Sequence, residues 1–249
     1  MKFDKIYIMG KINLLTKVEA DEVLIHAQSA GVNRSRVLSI ALTASLSAIM
    51  FGYSLKEITS IPIDTISSNY GISLDRNLLQ GLLIAIMPFG GLFGSLIAKS
   101  FLKRITRLAG MHIALPILVL SIFIVQITTP TTLFIGRFLE GVCIGYYVSI
   151  APIYLKEISP KHMRATTGTF FGLGKIIGVL TVIVLELLLG EGAWRFLLSV
   201  TVILALIQSA ILAVIGVDTP HEWIARGDTE RAVESLQHIY DRGDVEEVL

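Results

Sequence analysis

Six stretches, each long and apolar enough to cross a bilayer, constrain this chain more than any other feature of its sequence. A transmembrane helix rises about 1.5 Å per residue and needs about 20 apolar residues to cross about 30 Å of hydrocarbon. Residues 37–55 and 77–98 contain no charge. Residues 108–136 are uncharged over 29 positions, too long for one ordinary span, and the run breaks at Thr128-Thr129-Pro130-Thr131-Thr132. Pro130 has no amide hydrogen and favours a turn there. The pattern therefore predicts a third span over 108–127 and a fourth, carrying Arg137 and Glu140, over 131–153. A fifth over 165–189 carries Lys175 and Glu186, and a sixth over 196–217 is again uncharged. Only 16% of the residues are charged, against about 25% in ordinary soluble domains. The deficit is concentrated in these runs, so the lipid bilayer is the first partner the chain implies.

Lysine and arginine set the orientation of such a bundle. Of the 21 in the chain, 16 lie before the first span, in loops two–three and four–five, or in the tail. The opposite loops hold only Lys56, Arg76 and Arg195. Both termini are expected on the inner side: the cytosol, or the matrix if the membrane is the mitochondrial inner one. Plasma and mitochondrial membranes both remain open. A net charge of +1 gives no basis for nucleic-acid binding. The single cysteine, Cys143, allows no internal disulfide, and the five scattered histidines suggest no metal site, cofactor or enzyme motif.

Residues 1–36 read as an inner-side segment, because no apolar core marks a signal peptide and Asp4, Glu19, Asp21 and Glu22 are foreign to a cleaved presequence. Residues 37–217 form the bundle. Residues 218–249 read as an inner-side amphipathic helix, capped by Asp228 or Thr229, with Ala232, Leu236 and Ile239 on one face. It is expected on the membrane surface or against the bundle. Glycines recur at four-residue spacing as Gly90/Gly94, Gly141/Gly145, Gly168/Gly172 and Gly174/Gly178. Such pairs let helix backbones approach where lipid gives no hydrophobic drive between helices, so all four are expected to pack.

Gly136-Arg137-Phe138-Leu139-Glu140-Gly141 is followed by Pro152-Ile153-Tyr154-Leu155-Lys156-Glu157-Ile158-Ser159-Pro160 and Arg164. With Phe51-Gly52-Tyr53, Trp194-Arg195 and Thr219-Pro220, this set resembles the sugar porter family of the major facilitator superfamily, over about residues 37–240. The resemblance implies an all-α membrane protein, a six-helix transmembrane bundle of the major-facilitator N-domain type with a short inner-side C-terminal helix. It covers the first of the two bundles of a twelve-span porter, which rock against each other around a midplane site.

Several positions depart from the family pattern. Ser54 stands where proton-coupled members carry an aspartate, and serine cannot exchange a proton near neutral pH. Gly172 replaces a sugar-contacting glutamine, while Lys103 and Thr106 alter the inner-loop motif. Arg104, Arg107, Glu157 and Arg164 correspond to the family's inner-face gate network, with Glu157 expected to pair with Arg104 or Arg164. Arg137, Glu140 and Lys175 each cost at least about 2.5 kcal/mol at the midplane unless they pair or face a cavity. They are read as a substrate path or as one buried cluster. Two functions follow. One is a facilitative hexose-type carrier, acting as a dimer or with a separate second half-transporter on a hexose-like solute. The other, which the lost site residues and the extent of the resemblance favour, is a degenerate carrier serving as a structural subunit among other membrane subunits.

Overall fold

The computed structural model describes residues 32–102 and 104–239; residues 1–31 of the expected inner-side segment 1–36, Lys103 and the tail beyond 239 lie outside the described residues. Among the described residues nine α-helices follow in order: α1 Arg34–Ser60, α2 Ile63–Tyr70, α3 Arg76–Phe101, α4 Arg107–Gln126, α5 Pro130–Ile158, α6 Arg164–Leu189, α7 Trp194–Ile215, α8 Pro220–Ala225 and α9 Thr229–Ile239. Six of them (α1, α3, α4, α5, α6 and α7) are long and apolar enough to span a membrane.

Local chemistry sets where the spans begin. The first amides of a helix lack internal partners, and polar side chains at the cap supply them. Asn33 caps α1 through the amide of Arg36, Asp75 caps α3 through Asn77 and Leu78, and Thr106 caps α4 through Ala109. The long uncharged run divides as its proline predicts. Pro130 opens α5, and Thr129 and Thr132 cap it reciprocally. The clearest difference lies at the end of the first span. Residues 37–55 set its charge-free length, yet α1 continues to Ser60 and carries Glu57 into the core at 0% exposure. A charge ends an apolar run, but it does not end a helix whose charge finds a partner.

Helix α5 is the hub, packed against α3, α4 and α1, while α1 also packs on α6 and α7. Three of the four glycine pairs explain how close these contacts are. A Cβ on Gly141 would stand 2.1 Å from the carbonyl oxygen of Met87, and one on Gly94 would stand 2.0 Å from that of Val142. On the other seam, a Cβ on Gly178 would fall 2.1 Å from the carbonyl oxygen of Ile49. The fourth pair behaves differently. Gly168 and Gly172 are exposed with nothing within 4 Å of a Cβ, so they do not pack within the bundle.

The amphipathic tail docks on protein. Leu236 and Ile239 join the central core and Ala232 is buried with them. Asp228 accepts from the amide of Arg231 at 3.1 Å, and the amide of Asn33 donates to the Ile239 carbonyl at 3.1 Å. The described chain therefore starts and ends on one face of the bundle, the face that also carries Arg104 between spans and Arg107, Lys156 and Arg164 at span ends.

Candidate functional site

Two polar constellations stand out against an apolar bundle. The first lies where α1, α5 and α7 meet. Glu57 and Ser54 are three residues apart on α1, and Arg137 and Glu140 have the same spacing on α5, so each pair shares one helix face. A single guanidinium nitrogen of Arg137 donates to Glu57 Oε1 and to Glu140 Oε2, the latter at 2.9 Å. The other terminal nitrogen donates to the Ser54 carbonyl at 3.2 Å. Ser54 Oγ donates to Glu140 Oε1 at 2.7 Å, and Thr201 Oγ1 lies 3.2 Å from Ser54 Oγ and 3.4 Å from Glu57 Oε2. Glu57 and Glu140 are fully buried and Arg137 is 1% exposed. Buried ions are tolerated only with this density of partners, because each forfeits several kcal/mol of hydration.

Arg137 and Glu140 thus meet as expected from their spacing, but Lys175 is not the third member; Glu57 is. Lys175 is half-buried on α6, with its ammonium 5.4 Å from the centre of the Phe51 ring and 5.6 Å from that of Phe171. Its backbone carbonyl is pressed against Gly52, where a Cβ would stand 2.0 Å away. Aromatic faces attract a cation in place of a carboxylate. Glu57 escaped the sequence reading because it follows Lys56 just past the uncharged run. Its one available signal was its place one helical turn beyond Ser54.

The second constellation clamps the basic face. Arg107, the first residue of α4, donates to Glu157 at 3.0 Å and to Glu222 at 2.7 Å, and its amide also reaches Glu222 at 2.8 Å. Thr219 donates to Glu157 at 2.7 Å, and Tyr154 donates to the Val217 carbonyl at 2.9 Å, so the strand of chain leaving α7 is fastened to α5. Glu157 therefore pairs with Arg107 rather than with Arg104 or Arg164. Arg164 donates instead to the Ser159 carbonyl at 3.2 Å, and Arg104 lines a surface hollow with Ser100, Phe101 and Ile105. Glu222, the missed member, lies two residues beyond the Thr219-Pro220 motif.

Burial pushes the Glu222 carboxyl above its usual range, with the hydrogen bonds and charge of Arg107 acting in the opposite sense. A carboxyl raised on folding contributes stability below its unfolded value and loses that contribution as pH rises through the folded one. Glu222→Gln is therefore expected to flatten the fall in thermal stability on the alkaline side of the ordinary carboxylate range. Thermal unfolding of both proteins across that range checks it, and identical slopes would count against the assignment.

The family of sugar (and other) transporters matches residues 40–248. Curated relatives include plastidic glucose transporter 4 of Arabidopsis thaliana, 26% identical over 235 residues, covering 92% of this chain and 42% of the relative. The human solute carrier family 2, facilitated glucose transporter member 9 is 31% identical over 225 residues, covering 82% of this chain and 42% of the relative. Among solved structures, the proton:xylose symporter XylE bound to 6-bromo-6-deoxy-D-glucose superposes with a TM-score of 0.75 at 22% identity, over 87% of this chain and 52% of XylE. That likeness shows the fold, a major-facilitator bundle. The chain spans about half the length of the relatives it matches. With six spans, three packed glycine pairs along two helix seams and a match running almost from the first span to the last residue, the chain belongs to the sugar transporter family, whose members are carriers rather than enzymes.

Proposed function

We propose that these six helices form one bundle of a sugar carrier, working against a second six-helix bundle around a path for a hexose-like solute. The observation that carries this reading is the network of Ser54, Glu57, Arg137, Glu140 and Thr201, buried in a bundle of the family's fold. Ionisable groups at membrane depth are costly and, in membrane proteins generally, mark solute or ion paths. Carriers of this architecture move one bundle against the other around a midplane site. The basic face, with the clamp of Arg107, Glu157 and Glu222, is assigned to the inner side and to the inner gate, Arg104 and Arg164 beside it. Lys175 is assigned to the wall of the path. It is half-exposed, and Gly172, three residues before it on the same face, leaves the adjoining space open.

Co-expressing the chain with the C-terminal bundle of a facilitative hexose carrier, in yeast lacking hexose uptake, is expected to restore saturable uptake of radiolabelled glucose. In the same cells Lys175→Leu is expected to lower uptake several-fold while the solubilised protein keeps its size-exclusion profile. A scaffold role draws no support from the family match, but the same cells can detect it. Failure of uptake, together with unrelated membrane subunits co-purifying in fixed proportion, would replace the carrier reading with that one.

A further inference from the structure

The cluster at α1 and α5 contains two carboxylates and one guanidinium, and its charges do not balance. Arg137 is the only cation paired with Glu57 or Glu140 among the described residues. Lys56, next along α1, turns its ammonium to Thr59 Oγ1 at 3.2 Å, and Lys175 on α6 is held over Phe51 and Phe171. Glu186 sits three turns further along α6, and α7 presents Thr201. Arg195 of α7 lies over the Trp194 ring, and His112 of α4 bonds Ser209 at 2.7 Å. The neutral neighbours are Tyr53, which donates to the Leu197 carbonyl at 2.8 Å, and buried Cys143, one turn beyond Glu140. On α3, the charged residues Arg76 and Lys99 stand near its two ends. With both carboxylates ionised, the fully buried site would keep one uncompensated negative charge, and two carboxylates on one nitrogen would repel each other.

We propose that Glu57 and Glu140 together hold one proton, seated on Glu57 Oε2, and form a proton-binding site outside the family's sequence pattern. One proton makes the group neutral. The other three carboxylate oxygens each have a close donor: Arg137 serves Glu57 Oε1 and Glu140 Oε2, and Ser54 serves Glu140 Oε1. Only Glu57 Oε2 depends on a distant one, Thr201 Oγ1 at 3.4 Å, and that hydroxyl can equally accept a hydrogen bond from a protonated carboxyl. Binding forms one O–H bond on the carboxylate and release returns the proton to water, with nothing oxidised or reduced. Both carboxylates are at 0% exposure, and Glu57 Oε2 faces Thr201 of α7, so exchange requires the helices around the site to part. If the bundle works as the carrier proposed above, solute movement and proton exchange share that motion.

Infrared difference spectroscopy on the full chain in lipid nanodiscs at neutral pH reads a protonated carboxyl through its C=O stretch and the shift of that band in D2O. A band from a buried carboxyl is expected, lost in Glu57→Gln and in Glu140→Gln, since either variant leaves a single carboxylate balanced by Arg137. Thr201→Val keeps both carboxylates and is expected to move the band to higher frequency by removing its acceptor, which decides the matter if the glutamine variants do not fold. Wild-type protein without the band, or a band unmoved by Thr201→Val, overturns the proposal. So does a band that survives in both folded glutamine variants. None of these readouts requires transport, so a protein that shows the band but moves no glucose refutes the carrier reading and leaves the proton site standing.

Discussion

Arg137→Leu is expected to destabilise the bundle more than any other single change to a side chain. It removes the guanidinium that serves Glu57, Glu140 and the Ser54 carbonyl, and it leaves two carboxyl groups in a site closed to water. Breaking a buried ion pair from one side costs about 3–5 kcal/mol, most of it the penalty of the partner left behind. For a chain of this size that corresponds to a fall in unfolding temperature on the order of 10 °C. Combining Arg137→Leu with Glu57→Leu and Glu140→Leu is expected to recover most of the loss, because an apolar group of similar volume often replaces a buried ionic cluster without penalty. Thermal unfolding in detergent checks both. A single variant that melts with the wild type would mean that the network contributes little to holding α1 on α5.

Gly141→Val is expected to come second and to act on packing alone. The added Cβ would lie 2.1 Å from the Met87 carbonyl oxygen, 2.9 Å from its carbon and 3.0 Å from its Cα, so the obstacle is main chain that has no rotamer to change. Overpacking in a core usually costs about 1–3 kcal/mol through side-chain adjustment. Here α3 and α5 must separate, which places the loss at or beyond the top of that range. Gly172→Ala is the matched control, since nothing lies within 4 Å of its Cβ. It is expected to leave stability unchanged or to raise it by about 0.5–1 kcal/mol through lower unfolded-state entropy. The yield and melting temperature of both variants in one detergent give the comparison; equal behaviour would refute the close seam.

The two changes probe different levels of the structure, and those levels differ in how far the sequence reveals them. Membrane helices must satisfy their own backbone hydrogen bonds, so length, apolarity and cap residues are sufficient to locate them. Thr129-Pro130 divided two spans by local chemistry alone, and Arg137 with Glu140 shared a face because residues three apart always do on a helix. The C-terminal face of Ala232, Leu236 and Ile239 was equally a matter of period, although its docking on protein rather than lipid was not.

Contacts between helices follow no such rule. Glu57 lies 80 residues before Arg137, and Glu222 lies 115 residues after Arg107. Nothing local marked either as a partner, and the absence of charge that located the first span placed Glu57 beyond it. Lys175 had the right charge and depth for the cluster, yet the Gly52 contact and the rings of Phe51 and Phe171 hold it elsewhere. The sequence by itself determined six spans, their order and the family, because hydrogen bonding along a helix and burial in lipid are decided residue by residue. Only the tertiary structure decided which carboxylates share Arg137, since that depends on the rotation and depth of packed helices, set jointly by every side chain in their seams.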